Sequence, residues 1–442
     1  MAEGILFDNL VGNQEYDWTA AFNNSEFMDY INNIHYRGEY TGDEYEIPDY
    51  FYKNKKYMTK ATFPYCYRRI GSHAFDGCLE LSLVFFTSPS NYGVCYELGE
   101  EAFINCPSLE FVSMGLPRRI GKKAFYSLSK LNSFYCYSMA QAGTYSNYSW
   151  MWDIGEEAFK NDINISYFLS MSYADTIGKR AFENCRNIQE IDIGRLICRK
   201  VDDEAFKNCS NMKSIMLNTM IMGTPISECR LELGENIFEG CSSLSDLFIT
   251  APYTVTSTTL GNLRDSLTNA RIDITGDLES IVSDMHIGSY AFISYSKLKS
   301  LFATYINNVE EYAFKDCITL SQCIIGCKKI GSHAFENCYE LNNFMGPVRC
   351  SSVGEYAFAN CSKLTNFTQA TTSAEFIGKR AFFNCINLKL LNIAGVSSVP
   401  ILEDVNAFEN VHSEFKIAVP SSLYYSFIED SKWGLLSEYI VK

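Results

Sequence analysis

Seventeen cysteines are the densest reactive chemistry in this chain of 442 residues. Nine of them, Cys78, Cys106, Cys185, Cys209, Cys241, Cys317, Cys338, Cys361 and Cys385, follow a phenylalanine by three residues. A thiolate can act as a nucleophile, bind zinc or form a disulfide, but each role needs particular company. Zinc calls for close pairs, and no Cys-x-x-Cys occurs. Cys317, Cys323 and Cys327 are neighbours in sequence, but the first holds the recurring position and the second a strand position, so core packing accounts for them. The regular spacing reads as a ladder of small buried thiols, and an odd total leaves at least one without a partner in the chain.

The other chemical groups are sparse. Of five histidines (His35, His73, His286, His333, His412), His73 and His333 share one setting, Ser-His-Ala-Phe, which marks them as spacing residues rather than acids or bases. No GxSxG, HExxH, GxxxxGK[ST] or EF-hand pattern appears. Acidic pairs such as Glu100-Glu101, Glu156-Glu157 and Glu310-Glu311 alternate with Lys122-Lys123, Lys179-Arg180 and Lys379-Arg380 at the same place in the repeat. Signs that exchange freely read as a solvated face. The expectation is therefore no catalytic residue, no metal ligand, no cofactor and no enzyme.

What positions these groups is a phrase that returns along the chain: Ile-Gly-x-x-Ala-Phe-x-x-Cys-x-x-Leu. Clear copies begin at Ile70, Leu98, Ile177, Val201, Leu233, Val309, Ile330, Val353 and Ile377. Copies at Ile120, Ile154 and Ile287 keep the Phe without the Cys, and a worn copy ends at Ala407-Phe408. With the Phe as marker, the commonest steps are 21 to 24 residues, within the range of roughly 20 to 29 for leucine-rich repeats. The steps from 125 to 159 and from 206 to 238 read as one repeat plus a loop insertion, and the step from 238 to 292 has room for a further repeat within 255 to 280. A unit of this size cannot bury its apolar side alone and must stack on its neighbours.

Counted from the Phe, the inward set is the aliphatic at minus 5, Ala at minus 1, the Phe, Cys at plus 3, Leu at plus 6 and apolar residues at plus 9 and plus 11. Alternation from plus 8 to plus 12 marks a short strand with one buried face. The Gly at minus 4 suits a bend where a Cβ would clash or φ is positive. The expected fold is a leucine-rich-repeat solenoid of stacked short parallel strands with turn or short helical segments, about 13 to 14 repeats, capped at both ends.

This pattern resembles the BspA-type leucine-rich-repeat family, over about residues 66 to 442. The resemblance implies a solenoid of the kind found in bacterial surface proteins, some protist proteins and phage proteins, mostly associated with adhesion. It names no ligand.

Three segments are expected: an N-terminal cap or docking segment at 1–65, the solenoid at 66–412, and a C-terminal cap at 413–442. A net charge of −15 disfavours nucleic acid and anionic membranes. The opening residues lack the basic start and apolar core of a secretory signal, and no run of 18 apolar residues could span a bilayer. These readings favour a phage virion appendage or host-attachment component, on a virion or cell surface after assembly or lysis. The alternative is a cellular adhesion or protein-interaction protein, at the surface or in the cytoplasm.

The candidate contact surface is the outward side of the strands. Position plus 10 should be polar if it met only water, yet it carries Phe85, Tyr135, Phe248 and Phe302, and plus 8 adds Phe111 and Tyr167. A contiguous apolar band marks an interaction site, and aromatics serve as anchors. Tyr145, Tyr148, Trp150 and Trp152 add an aromatic insertion expected on a loop. The expected partners are a protein or glycan on a cell surface, neighbouring virion proteins, or a second copy of the chain.

Overall fold

The computed structural model describes residues 46–64, 69–87, 97–115, 117–137, 152–169, 174–189, 198–218, 231–250, 254–256, 258–272, 286–345, 350–368 and 374–442. They fall into two compact units, one of the described residues up to 189 with 204–211, the other of the described residues 198–203 with those from 212 on. Each is a parallel β-solenoid with little helix.

In the first unit the described strands form two parallel sheets. The narrow sheet runs Glu46–Ile47, Arg69–Ile70, Glu97–Leu98, Arg119–Ile120, Trp152–Ile154 and Ala174–Ile177, each strand pairing with the next. The wide sheet runs Lys60–Pro64, Leu83–Thr87, Phe111–Gly115, Ser133–Tyr137 and Tyr167–Leu169. Between the sheets lies the interior, and its spine is the marker phenylalanine. Successive rings of Phe75, Phe103, Phe125, Phe159, Phe182 and Phe206 stack nearly parallel at 4.8, 5.2, 5.0, 5.3 and 5.3 Å, all fully buried. Tyr52 extends the spine by one coil, 5.1 Å from Phe75. That coil writes Tyr for Phe, Pro48 for Gly and Lys55 for Cys, which hides it from the repeated phrase.

The second unit builds its wide sheet from Ser214–Asn218, Asp246–Thr250, Asn269–Ile272, Ser300–Val309, Gln322–Ile330 and Asn343–Met345. A further sheet runs Asn366–Thr368, Leu390–Asn392, Lys416–Ala418 and Ile440–Val441. The repeat anticipated within 255 to 280 is present, with Leu260 in the place of the Ala before the marker: the Phe238 amide donates to its carbonyl at 3.1 Å, as the Phe292 amide does to that of Ala313, and Gly261 follows at the marker position. The ring spine continues through Phe292, Phe314, Phe335, Phe358, Phe382 and Phe408 at 5.0 to 5.7 Å. It ends where Trp433, fully buried, faces Phe408 at 6.3 Å and Phe427 of the short helix Tyr424–Glu429 at 5.2 Å. The indole Nε1 donates to the Pro400 carbonyl at 2.8 Å, so this buried polar atom is satisfied.

Two backbone constraints explain the rest of the phrase. A Cβ added to Gly99 would stand 2.4 Å from the Ser72 nitrogen, and one on Gly354 would stand 2.6 Å from the Ser332 nitrogen. The minus 4 glycine therefore answers to the close approach of the neighbouring coil's backbone. The chain turns through left-handed φ at minus 2 and plus 2, as at His333 (57°) and Asn337 (65°). Asparagine tolerates that conformation better than most residues, and at plus 2 it also bonds the next coil. Asn184 donates to Asn161 at 2.7 Å and Asn208 to Asn184 at 2.9 Å, while Asn360 donates to Asn337 at 2.8 Å and Asn384 to Asn360 at 2.9 Å.

Replacing Phe182 with Ala removes one ring from a stack with no room to collapse. The expected loss is about 3–5 kcal/mol, read as a lower urea midpoint; a loss under about 1 kcal/mol contradicts the role assigned to the spine.

Candidate binding face

The sequence places its candidate residues on the outward side of the strands, and backbone register now says which of them share a row. In the first unit Phe85, Ser113 and Tyr135 are in register, and beside them runs the row Phe111, Ser133 and Tyr167. Phe111 is half-buried and Ser113 buried. Phe85, Tyr135 and Tyr167 are placed by their backbones, and their side chains lie outside the description. Trp152, expected on a loop, instead opens the strand Trp152–Ile154 of the narrow sheet, where its backbone pairs with Ala174. Tyr145, Tyr148 and Trp150 lie outside the described residues.

The second unit holds the more complete row. Met216, Phe248, Arg271, Phe302, Ile324 and Met345 stand in register across six strands. Met216, Phe248, Phe302 and Ile324 are half-buried. Arg271 is exposed, with its guanidinium 4.8 Å above the Phe302 ring, a cation–π contact of about 0.5–1 kcal/mol at an exposed site. Sequence reasoning missed Arg271 because its coil has neither the marker Phe nor the Cys from which the count is taken, Gly261 standing ten residues before it. Next to this row runs a polar one that satisfies itself. Asn269 Nδ2 donates to Asp246 Oδ1 at 2.7 Å, and Ser300 Oγ donates to Asn269 Oδ1 at 2.7 Å. An apolar row thus lies beside a hydrogen-bonded rail, a combination able to seat another protein's side chains without leaving buried polar groups unpaired.

The thiols are structural. Cys78, Cys106, Cys185, Cys317, Cys338, Cys361 and Cys385 are buried free thiols, and their Sγ atoms donate to the marker carbonyl of the preceding coil at 3.0 to 3.3 Å. Burial pushes Cys317 up to about 12 and Cys185 well above the ordinary thiol range. A thiol held in that state is a poor nucleophile. Among the described residues no group of three or more His, Cys, Asp or Glu is placed to hold a metal ion, and no helix is long and apolar enough to cross a membrane.

The turn charges correct the reading of a merely solvated face. In the first unit they alternate across coils as an ion-pair ladder: Lys123 with Glu157 at 3.6 Å, Lys160 with both Glu157 and Glu183 at 2.9 Å, and Arg180 with Glu204 at 2.6 Å, while Lys207 also pairs with Glu204. In the second unit the same position becomes an aromatic stack of Tyr290, Tyr312, His333 and Tyr356, with centroids 4.9, 4.7 and 5.0 Å apart. His333 Nδ1 lies 2.8 Å from Glu336 Oε2, so the histidine is a rung of this stack, in keeping with its reading as a spacing residue.

The comparisons with known proteins come down on the repeat. The profile described as BspA type leucine rich repeat region (6 copies) matches residues 45–149, 146–232 and 285–414. The chain belongs to the BspA-type leucine-rich-repeat family. A leucine rich cell surface protein of Faecalibacterium prausnitzii is 18% identical, with 87% of this BspA-type chain and 85% of that one covered at a TM-score of 0.30. A leucine-rich repeat protein of Bacteroides ovatus is 19% identical, covering 88% and 86% at a TM-score of 0.32. The pneumococcal vaccine antigen PcpA is 16% identical, covering 90% and 84% at a TM-score of 0.29. No curated protein matches this BspA-type chain.

The ion ladder makes a pH prediction. The Lys207 ammonium, against partial burial, and then the Arg180 guanidinium hold Glu204 below the usual carboxylate range. A carboxylate depressed in the fold contributes stability that is present above its unfolded pKa of roughly 4.3 and is lost as pH falls through the folded value. Glu204→Gln is expected to lower the melting temperature at pH 7 and to shrink its fall between pH 5 and pH 3. An unchanged acid profile in calorimetry contradicts the ladder.

Proposed function

We propose that this chain is a non-enzymatic binding protein of the adhesion type, and that a protein partner docks on the outward face of the wide sheet. The observation that carries the reading is the row Met216, Phe248, Arg271, Phe302 and Ile324, half-buried and apolar around one cation, on a face where solvent contact alone asks for polar residues. Membership of the BspA-type family supports adhesion, since such solenoids are mostly associated with it, and the buried, inert thiols support a scaffold without chemistry of its own. Adhesion at a cell surface is the setting we favour. Host attachment by a phage virion is the other setting weighed from the sequence, and it would use the same face.

The test is a double substitution, Phe248→Ser with Phe302→Ser. Protein-coated beads are applied to intact cells, untreated, trypsin-treated or glycosidase-treated. Expected are loss of bead attachment by the variant, a melting temperature within about 2 °C of the parent, and attachment by the parent that trypsin abolishes. A large drop in melting temperature shows the face to be core, and attachment abolished by glycosidase alone points to a glycan instead.

A further inference from the structure

One coil of the first unit breaks the thiol column with an acid. Asp162 follows the marker Phe159 by three residues, where other coils carry Cys, and it is fully buried. Its Oδ1 accepts the Leu128 amide at 2.6 Å. Its Oδ2 is buried with no hydrogen-bond partner.

The neighbouring coils show what this position does. The carbonyl of Phe182 takes two donors, the Cys185 amide of its own coil at 3.1 Å and the Cys209 thiol of the next at 3.2 Å. Phe335 takes the Cys338 amide at 3.2 Å and the Cys361 thiol at 3.2 Å, and Phe358 the Cys385 thiol at 3.1 Å. At Phe125 both donors are displaced. The amide of its own coil, Leu128, has turned to Asp162, and the side chain that occupies the thiol's place in the next coil is Asp162 itself. A carboxylate has no proton to offer that carbonyl, whereas a carboxylic acid has one. Among the described residues no other donor reaches the Phe125 carbonyl, and a buried carbonyl and a buried carboxyl oxygen left unpaired are each destabilising. One proton removes both.

We propose that Asp162 is held in the first unit as the neutral acid, donating its proton to the Phe125 carbonyl while accepting the Leu128 amide, and that this rung weakens as pH rises. Burial favours that state, pushing the carboxyl well above the usual carboxylate range against the opposing pull of the Leu128 amide. The titratable group that faces it is Cys185 of the next coil. Its S–H is committed to the Phe159 carbonyl at 3.0 Å, and it is itself raised by burial, with ionisation of Asp162 raising it further. Among the described residues no ion pair reaches Asp162. The sign follows from the raised folded value. The stability this rung contributes is complete below the unfolded pKa of roughly 3.9, and it is lost as pH climbs towards the folded value. That is opposite in direction to the ion ladder on the same unit, whose carboxylates lose their contribution in acid.

The test uses the full chain with Asp162→Asn and Asp162→Cys. The amide keeps one donor and one acceptor in the acid's shape without titrating, and the thiol restores the column. Urea unfolding is followed from pH 5 to pH 8, together with hydrogen exchange of the Leu128 amide. The unfolding constant of the parent is expected to grow relative to Asp162→Asn by about tenfold per pH unit until the folded pKa is passed, with Asp162→Cys behaving like Asp162→Asn. Leu128 protection is expected to fall with pH in the parent alone, after correction for intrinsic exchange. Parallel pH profiles for parent and Asp162→Asn overturn the proposal. Should Asp162→Asn fail to fold, profiles of parent and Asp162→Cys that run parallel overturn it equally.

Discussion

The distance between adjacent parallel strands, about 4.8 Å, governs everything else in both units. Each coil is laid on the last at that spacing, so any residue at a given position in the phrase meets the same position of the coil before and after it. The chain is thereby organised as columns, and a column is stable only if its occupants tolerate their own kind at van der Waals distance. Benzyl rings do so when parallel, which is why the spine repeats at 4.8 to 5.7 Å. Glycine does so where backbones approach so closely that a Cβ at Gly99 would be 2.4 Å from a neighbouring nitrogen. A repeat protein's stability then resembles a sum of rungs and their interfaces.

Polar columns obey the same spacing by different chemistry. A side-chain amide is both donor and acceptor, so asparagines pass hydrogen bonds along the stack without interruption, as from Asn384 to Asn360 to Asn337. A thiol donates across the coil boundary and accepts little, and it fits because the marker carbonyl is there to receive it. Charge cannot stack on like charge, so the turn column of the first unit alternates sign and recruits the position three residues later. In the second unit the same column switches to Tyr290, Tyr312, His333 and Tyr356, which stack face to face. Two unrelated interactions thus solve one geometric problem, which explains why composition at this position varies while conformation does not: φ is 55° at Glu157 and 58° at Tyr312.

The sequence discloses a column when its occupants are identical and conceals it when they are merely compatible. Phe, Cys and Gly are uniform enough to reveal the solenoid, its step and its inward set. Tyr52 and Gly261 stand at the marker position in place of Phe, so the first coil is invisible in the phrase and the coil within 255 to 280 shows only as a gap of suitable length. The ion-pair ladder is concealed for a related reason: read along the chain, Glu156-Glu157 and Lys179-Arg180 look like interchangeable surface charge, and only the stacking of coils turns difference into complementarity. The outward row of the wide sheet was legible in its aromatics, since strand alternation fixes their side. Arg271 was not, because its coil lacks the Phe from which the count starts.

That outward row departs from the rule of compatible occupants. Inside, neighbours in a column are near-copies; in the row of Met216, Phe248, Arg271, Phe302 and Ile324, no two adjacent residues are alike. Nothing in the stacking asks for such variety, because these side chains leave the interior and meet no neighbouring column that must match them. Residues freed from the repeat can be set by a partner instead. A guanidinium resting on Phe302 adds a directed polar group to an apolar strip, and the hydrogen-bonded rail of Asp246, Asn269 and Ser300 holds the strip's border fixed. A rigid backbone with an irregular row of side chains is the arrangement in which recognition costs least ordering entropy. The regularity that makes the interior uniform is therefore also what holds this face rigid for the docking we propose.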